Sequence, residues 1–258
     1  MKTTWILDVG NTRTKLAVFN DGELTLLLAD DEAWEHAQSV PLDDNAPSVL
    51  VAATGEITED WKRWIDLWSD SPHPERLIHI QSAADVPTDM TYESPETLGL
   101  DRLANAFAVT ALEANTPWLI LDLGTCITAD FVQDGHFCGG SIAPGIDLRL
   151  KSMYAGTAHL PYLENWREQA EKGIALHLGT TTESSLLAGA LGGVHAEIQQ
   201  RIRAFQSEFP ELRVVLTGGD AKYLELHDDL SIFADSSLTW KGYYHLHNRI
   251  INHDPASK

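Results

Sequence analysis

The chain has 258 residues, 43% of them apolar, enough for one large core or two of ordinary size. Lys and Arg number 18 against 38 Asp and Glu, a formal charge of −20, which argues against nucleic acid as a partner because that binding relies on basic patches. No apolar run reaches membrane-spanning length, Cys126 and Cys138 form no C-x-x-C, and the chain enters a strand at once, so no membrane, no secretory leader, reduced thiols and a cytoplasmic location are expected.

In chain order, strands are expected at about 3–9, 14–19 and 23–29, with Asn20-Asp21-Gly22 as a hairpin turn. The first turn of this meander carries chemistry. The apolar strand ends on Asp8, Gly10 lets backbone approach a ligand closely, and Asn11, Thr12 and the turn amides can bond phosphate oxygens. Lys15, on the next strand, is either an added cation or a solvated strand lysine. Residues 31–39 read as helix and Ser48–Ala53 as a buried strand. Glu56–Trp68 reads as an amphipathic helix whose Trp61, Trp64, Ile65 and Trp68 recur at i, i+3, i+4 and i+7, a core stripe.

Arg76–Ile80 is a further strand, and Gln81–Leu98 reads as a loop. It ends in a dense polar group of Tyr92, Pro95, Leu98, Gly99, Asp101 and Arg102, and a helical pattern follows at Leu103, Ala104, Ala106, Phe107 and Ala111. Asp101 at a helix start is explained equally by capping. Arg102 gains nothing from the helix dipole, and a ligand carboxylate would give it a reason to be there.

Trp118–Asp130 repeats the first motif: an apolar strand ending on Asp122, then Gly124 and Thr125, then a second strand. An aspartate in that place can hold a cation that accompanies phosphate. One such turn is an ordinary hairpin; two with the aspartate in register point to a duplicated body around a phosphate cleft. Asp134-Gly135 is another hairpin turn. Residues 139–145 read as a glycine-rich turn, followed by a helix at about 146–155 and a break at 155–161. Residues 162–178 carry little pattern. A long helix runs from Thr182 to about 207, and its glycines at 189, 192 and 193 predict close backbone packing. Leu212–Leu216 is a strand leading to Thr217-Gly218-Gly219-Asp220, a turn able to take a nucleotide, then a helix; 238–251 is the final helix. There is no Walker-A loop and no G-x-G-x-x-G.

Taken together, Asp8-Val9-Gly10-Asn11-Thr12 with Lys15, Leu98-Gly99-Leu100-Asp101-Arg102, Asp122-Leu123-Gly124-Thr125, Gly139–Gly145, Thr157–Pro161 and Thr217-Gly218-Gly219 resemble the motifs of type III pantothenate kinases. Cys126, where that family usually has Ala, and Thr180-Thr181-Thr182, where Asn-Thr is commoner, depart from the pattern. The resemblance implies an α/β fold of two duplicated ribonuclease-H-like (actin-like ATPase) domains around a central cleft. The expected domains are 1–115 and 116–258, with the last helix able to pack back on the first. It implies ATP-dependent phosphorylation of the primary hydroxyl of pantothenate, the first step toward coenzyme A. Asp101 would be the base. Asp8 would hold Mg²⁺ through water, and Gly10, Asn11, Thr12, Lys15 and Thr125 would face the ATP phosphates. Tyr92, Gly99, Leu100, Arg102 and Thr182 would complete the pantothenate pocket. Asp122 would hold a monovalent cation, potassium or ammonium, in a homodimer. Another phosphotransferase of the same superfamily, or a non-catalytic regulatory relative, is the alternative.

Overall fold

The computed structural model describes residues 2–10, 13–40, 42–53, 55–88, 90–173, 175–224 and 232–253. The chain divides into two compact units: one takes the chain through Leu112 with the segment from Ser237 onward, the other Glu113–Ser236.

The first unit opens with β1 (Thr3–Val9), β2 (Thr14–Asn20), β3 (Glu23–Ala29), α1 (Asp30–Gln38), β4 (Ser48–Ala53), α2 (Glu59–Ser69), β5 (Leu77–Ile80) and α3 (Leu100–Leu112). Its sheet has the order β3-β2-β1-β4-β5, antiparallel from β3 to β1 and parallel from β1 to β5. Trp5, Leu7 and Val9 alternate onto one face of β1 and pack with Trp61, Trp64 and Trp68. Those indoles form an edge-to-face series, Trp61–Trp64 at 5.6 Å and Trp64–Trp68 at 5.7 Å between centroids, so the predicted stripe is core.

The second unit holds β6 (Trp118–Leu123), β7 (Cys126–Gln133), β8 (His136–Pro144), α4 (Ile146–Gly156), α5 (Trp166–Glu171), α6 (Thr182–Leu187), α7 (Gly193–Glu208), β9 (Arg213–Thr217) and β10 (Ile232–Ala234). Its sheet order, β8-β7-β6-β9-β10, repeats the first with the same mixture of directions. The duplication is therefore topological and not confined to the turn motifs. The chain closes with α8 (Leu238–His253), which belongs to the first unit and lies on α3. Gly242 makes that approach possible, since any side chain there would overlap the Ala104 backbone.

Four stretches differ from the sequence reading. After Thr217–Asp220 the described residues show not the expected α-helix but a short 3-10 turn, Ala221–Tyr223. Residues 139–145 are not a turn but mostly strand β8, with Gly139 at φ +114° and Gly140 seated where a Cβ would overlap Asp130. Residues 162–178 contain α5, which opens on the buried Trp166. The long helix from Thr182 is interrupted by a π-helical segment, Ala188–Gly192, between α6 and α7. Of its glycines, Gly192 does press on backbone, at Leu176, whereas Gly189 faces open space.

Candidate active site

The first acidic turn is built by strand register. Asp8, the penultimate residue of β1, pairs with Lys15 on β2 and with Ala52 on β4. Lys15 shares its face, and its ammonium sits 5.9 Å over the Trp240 ring of α8. Burial pushes the Asp8 carboxyl from 3.8 to about 6; the Asp101 carboxylate adds to the rise and Lys15 opposes it. The turn closes with the Gly10 N–H donating to the Arg13 carbonyl at 3.1 Å, and Arg13 pairs with Asp30 at 3.5 Å. Asn11 and Thr12 lie outside the described residues.

Asp101 and Arg102 open α3. The Oδ1 of Asp101 accepts the Arg102 N–H at 2.8 Å, so part of the carboxylate serves the helix start, while the side chain stays exposed. Gly99 makes room for it: a Cβ at 99 would lie 2.5 Å from that oxygen. Arg102 is 5% exposed and its guanidinium is 5.8 Å from the Tyr92 ring centroid. A buried arginine flanked by an aromatic ring and aimed from a helix start suits a planar anion such as a carboxylate. The Leu100 side chain is core, which leaves its backbone to meet a ligand.

The second acidic turn reproduces the first in register. Asp122 is the penultimate residue of β6 and pairs with Thr128 on β7 and Thr217 on β9. Gly124 donates its N–H to Cys126 at 3.0 Å, and the Thr125 carbonyl accepts the Gly145 N–H at 3.0 Å. Gly218, at φ +89°, sits against the Leu123 carbonyl and the Asp122 carboxylate so closely that no side chain could replace its hydrogen. The Asp220 N–H returns to the Leu123 carbonyl at 3.0 Å. The T-G-G-D turn and the Asp122 turn are thus one fastened structure.

Thr182 starts α6, capped by Thr181, whose hydroxyl accepts the Ser184 N–H at 3.1 Å. Thr180, Thr181 and Thr182 line a cavity of about 620 Å³ with Met153, Leu160 and Gly189. The open face of Gly189 and the π segment shape its wall, and π segments recur at functional sites.

Among the described residues no group of three or more His, Cys, Asp or Glu side chains comes together that could hold a metal. The donors present still fit one kind of cation. Asp8 is a half-buried carboxylate that feels the charge of a second one, and a hard cation carrying its own water and bound phosphate needs only one or two such ligands.

Sequence reasoning missed the ion pair that pins the T-G-G-D turn. Arg167 on α5 donates from Nε and Nη2 to Asp220 Oδ1 at 3.2 and 3.0 Å, and its guanidinium lies 4.4 Å from the Trp166 ring centroid. Nothing in the local pattern at 162–178 signals it.

A family model described as type III pantothenate kinase matches residues 5–204. The type III pantothenate kinase of Phocaeicola vulgatus is 32% identical over 255 residues, covering 96% of this chain and 98% of that one. A Campylobacter jejuni structure described as a Baf family transcriptional activator superposes at a TM-score of 0.59 and 18% identity, covering 96% and 99%. MreB 5 of Spiroplasma citri, solved with AMPPNP, superposes at 0.51 and 12% identity, covering 100% and 99%. These two likenesses speak to the fold, two duplicated ribonuclease-H-like (actin-like ATPase) domains. The chain belongs to the type III pantothenate kinase family.

Proposed function

We infer that the chain transfers the γ-phosphoryl group of ATP to the primary hydroxyl of pantothenate, opening coenzyme A synthesis. Family membership supplies the reaction, and the closeness of Asp8 to Asp101 carries its assignment to residues. Phosphoryl transfer asks for positioning and charge neutralisation more than covalent help. Asp101, exposed at the start of α3, accepts the hydroxyl proton as the alcohol oxygen bonds to the γ-phosphorus. The bond from that phosphorus to the ADP oxygen breaks, and ADP leaves with its electron pair. Arg102, backed by Tyr92, grips the pantothenate carboxylate and fixes which end of the substrate faces the base. Gly99 and the Leu100 backbone border the same helix start, and Thr182 is also assigned to pantothenate.

On the nucleotide side, Gly10, Asn11, Thr12, Lys15 and Thr125 are assigned to the phosphates. Asp8 would hold Mg²⁺ through water and Asp122 a monovalent cation, potassium or ammonium. When bound, these ions offset the charge of the terminal phosphates. Asp8 itself contributes a carboxylate kept partly dry and repelled by Asp101, which an added positive charge would relieve.

A homodimer is part of this reading. The exposed apolar residues Ile142, Leu148, Tyr154 and Leu178 of the second unit support it. A cytoplasmic location is supported by the two exposed free cysteines, Cys126 and Cys138. No helix among the described residues is long and apolar enough to cross a membrane. Mass spectrometry of the product tests the whole: one phosphate on the pantothenate primary hydroxyl supports it, and transfer to a sugar with none to pantothenate would refute it.

A further inference from the structure

Asp220 is 5% exposed and bonded through both its backbone and its side chain. Its N–H is tied to the Leu123 carbonyl, beside Asp122. Its carboxylate is held by the fork of Arg167, with contacts at 3.0 and 3.2 Å to one oxygen and 3.4 Å to the other. Burial raises the Asp220 carboxyl, Arg167 opposes that rise and the nearby Asp147 adds to it.

Arg167 is itself placed by a rigid support. Its neighbour Trp166 is fully buried and donates Nε1–H to Asp147 at 3.2 Å, while Asp147 also accepts from Tyr162 at 2.8 Å. The guanidinium lies over the Trp166 ring, so its plane is set before it meets Asp220. From this support to Asp220, and from Asp220 to the Leu123 carbonyl, the turn that carries Gly218 and Gly219 has few ways to move. Gly219 presents open space, where a Cβ would meet nothing within 4 Å.

We propose that Arg167 and Asp220 are a positioning pair for the nucleotide: the ion pair holds the Thr217–Asp220 turn in the shape that receives ATP at Gly218 and Gly219. The inference rests on the kinase reading above and names which residues of this chain set its nucleotide affinity from behind the turn. Neither side chain has to touch ATP for this. A pair that served only the fold would move thermal stability and leave nucleotide affinity alone.

The test is calorimetric titration of the full chain with AMPPNP and Mg²⁺, for wild type, Arg167→Met, Asp220→Asn, the double variant and Arg167→Lys. Arg167→Met and Asp220→Asn should each weaken AMPPNP binding about tenfold, the double variant no more than the weaker single, because coupled partners do not add. Arg167→Lys, which keeps the charge and loses the fork, should fall between. Pantothenate affinity should be unchanged throughout. An AMPPNP Kd equal to wild type in Arg167→Lys, Asp220→Asn and the double variant, with or without a lower Tm, would overturn the proposal. Phosphate transfer to pantothenate by wild type judges the kinase reading separately, and the nucleotide Kd decides the role of the pair in either case.

Discussion

Asp8 and Asp101, 93 positions apart in the chain, sit close enough in the first unit that the charge of one is felt by the other. Burial and then the Asp101 carboxylate hold the Asp8 carboxyl up at about 6, and Lys15 only partly offsets them. Two acids with different surroundings can divide the work, one for proton acceptance and one for cation binding.

The raised Asp8 carboxyl makes stability depend on pH in a stated direction. Below the ordinary value of 3.8 the group is protonated whether folded or unfolded, and it costs nothing. Between 3.8 and about 6 the unfolded chain has released the proton while the fold retains it, so stability falls as pH rises. Above about 6 the cost is complete. Asp8→Asn should therefore melt higher than wild type at about pH 7.5 and differ little at about pH 3.5, while losing kinase activity. Equal melting differences at both pH values would contradict the burial of this carboxylate.

Asp101→Asn should lower kcat by about 10²- to 10⁴-fold with AMPPNP binding retained, the usual worth of a positioned base. Gly99→Ala offers a subtler check. The new methyl would lie only 2.5 Å from the Asp101 Oδ1, so the carboxylate must turn away while the fold stays intact. Its kcat should fall although Asp101 is present. Normal turnover in Gly99→Ala would mean that the observed carboxylate position does not matter.

Arg102→Ala should raise the KM for pantothenate about 10- to 100-fold, from loss of hydrogen bonds to a charged group, and leave the KM for ATP near wild type. Arg102→Lys should recover little, because a point charge cannot replace a planar fork. A rise confined to the ATP KM would assign Arg102 to the other substrate.

Asp122→Asn should shift the dependence of turnover on potassium or ammonium to higher concentration, with Mg²⁺ dependence nearly unchanged. Wild-type activity equal in potassium and in lithium would remove the monovalent site altogether.

The two acidic turns were legible because strand, turn and strand are local: Asp8 and Asp122 end apolar runs, and the same residues that pair in register are near in sequence. The tryptophan stripe of α2 was legible for the same reason, through helical spacing. Gly139 and Gly140 misled, because glycine signals a turn while here it fits strand β8 against Asp130. The π segment at Ala188–Gly192 leaves no mark in a helical pattern that continues on either side. Arg167 and Asp220 are 53 positions apart and meet only through tertiary folding, so no local pattern could have joined them.

ATP consumption by the purified chain, with and without pantothenate, in potassium and in sodium, weighs the assignment most directly. ADP should form only when pantothenate is present, one for each phosphopantothenate, and faster in potassium. ATP hydrolysis indifferent to pantothenate, or none with it, would contradict a kinase acting through Asp101.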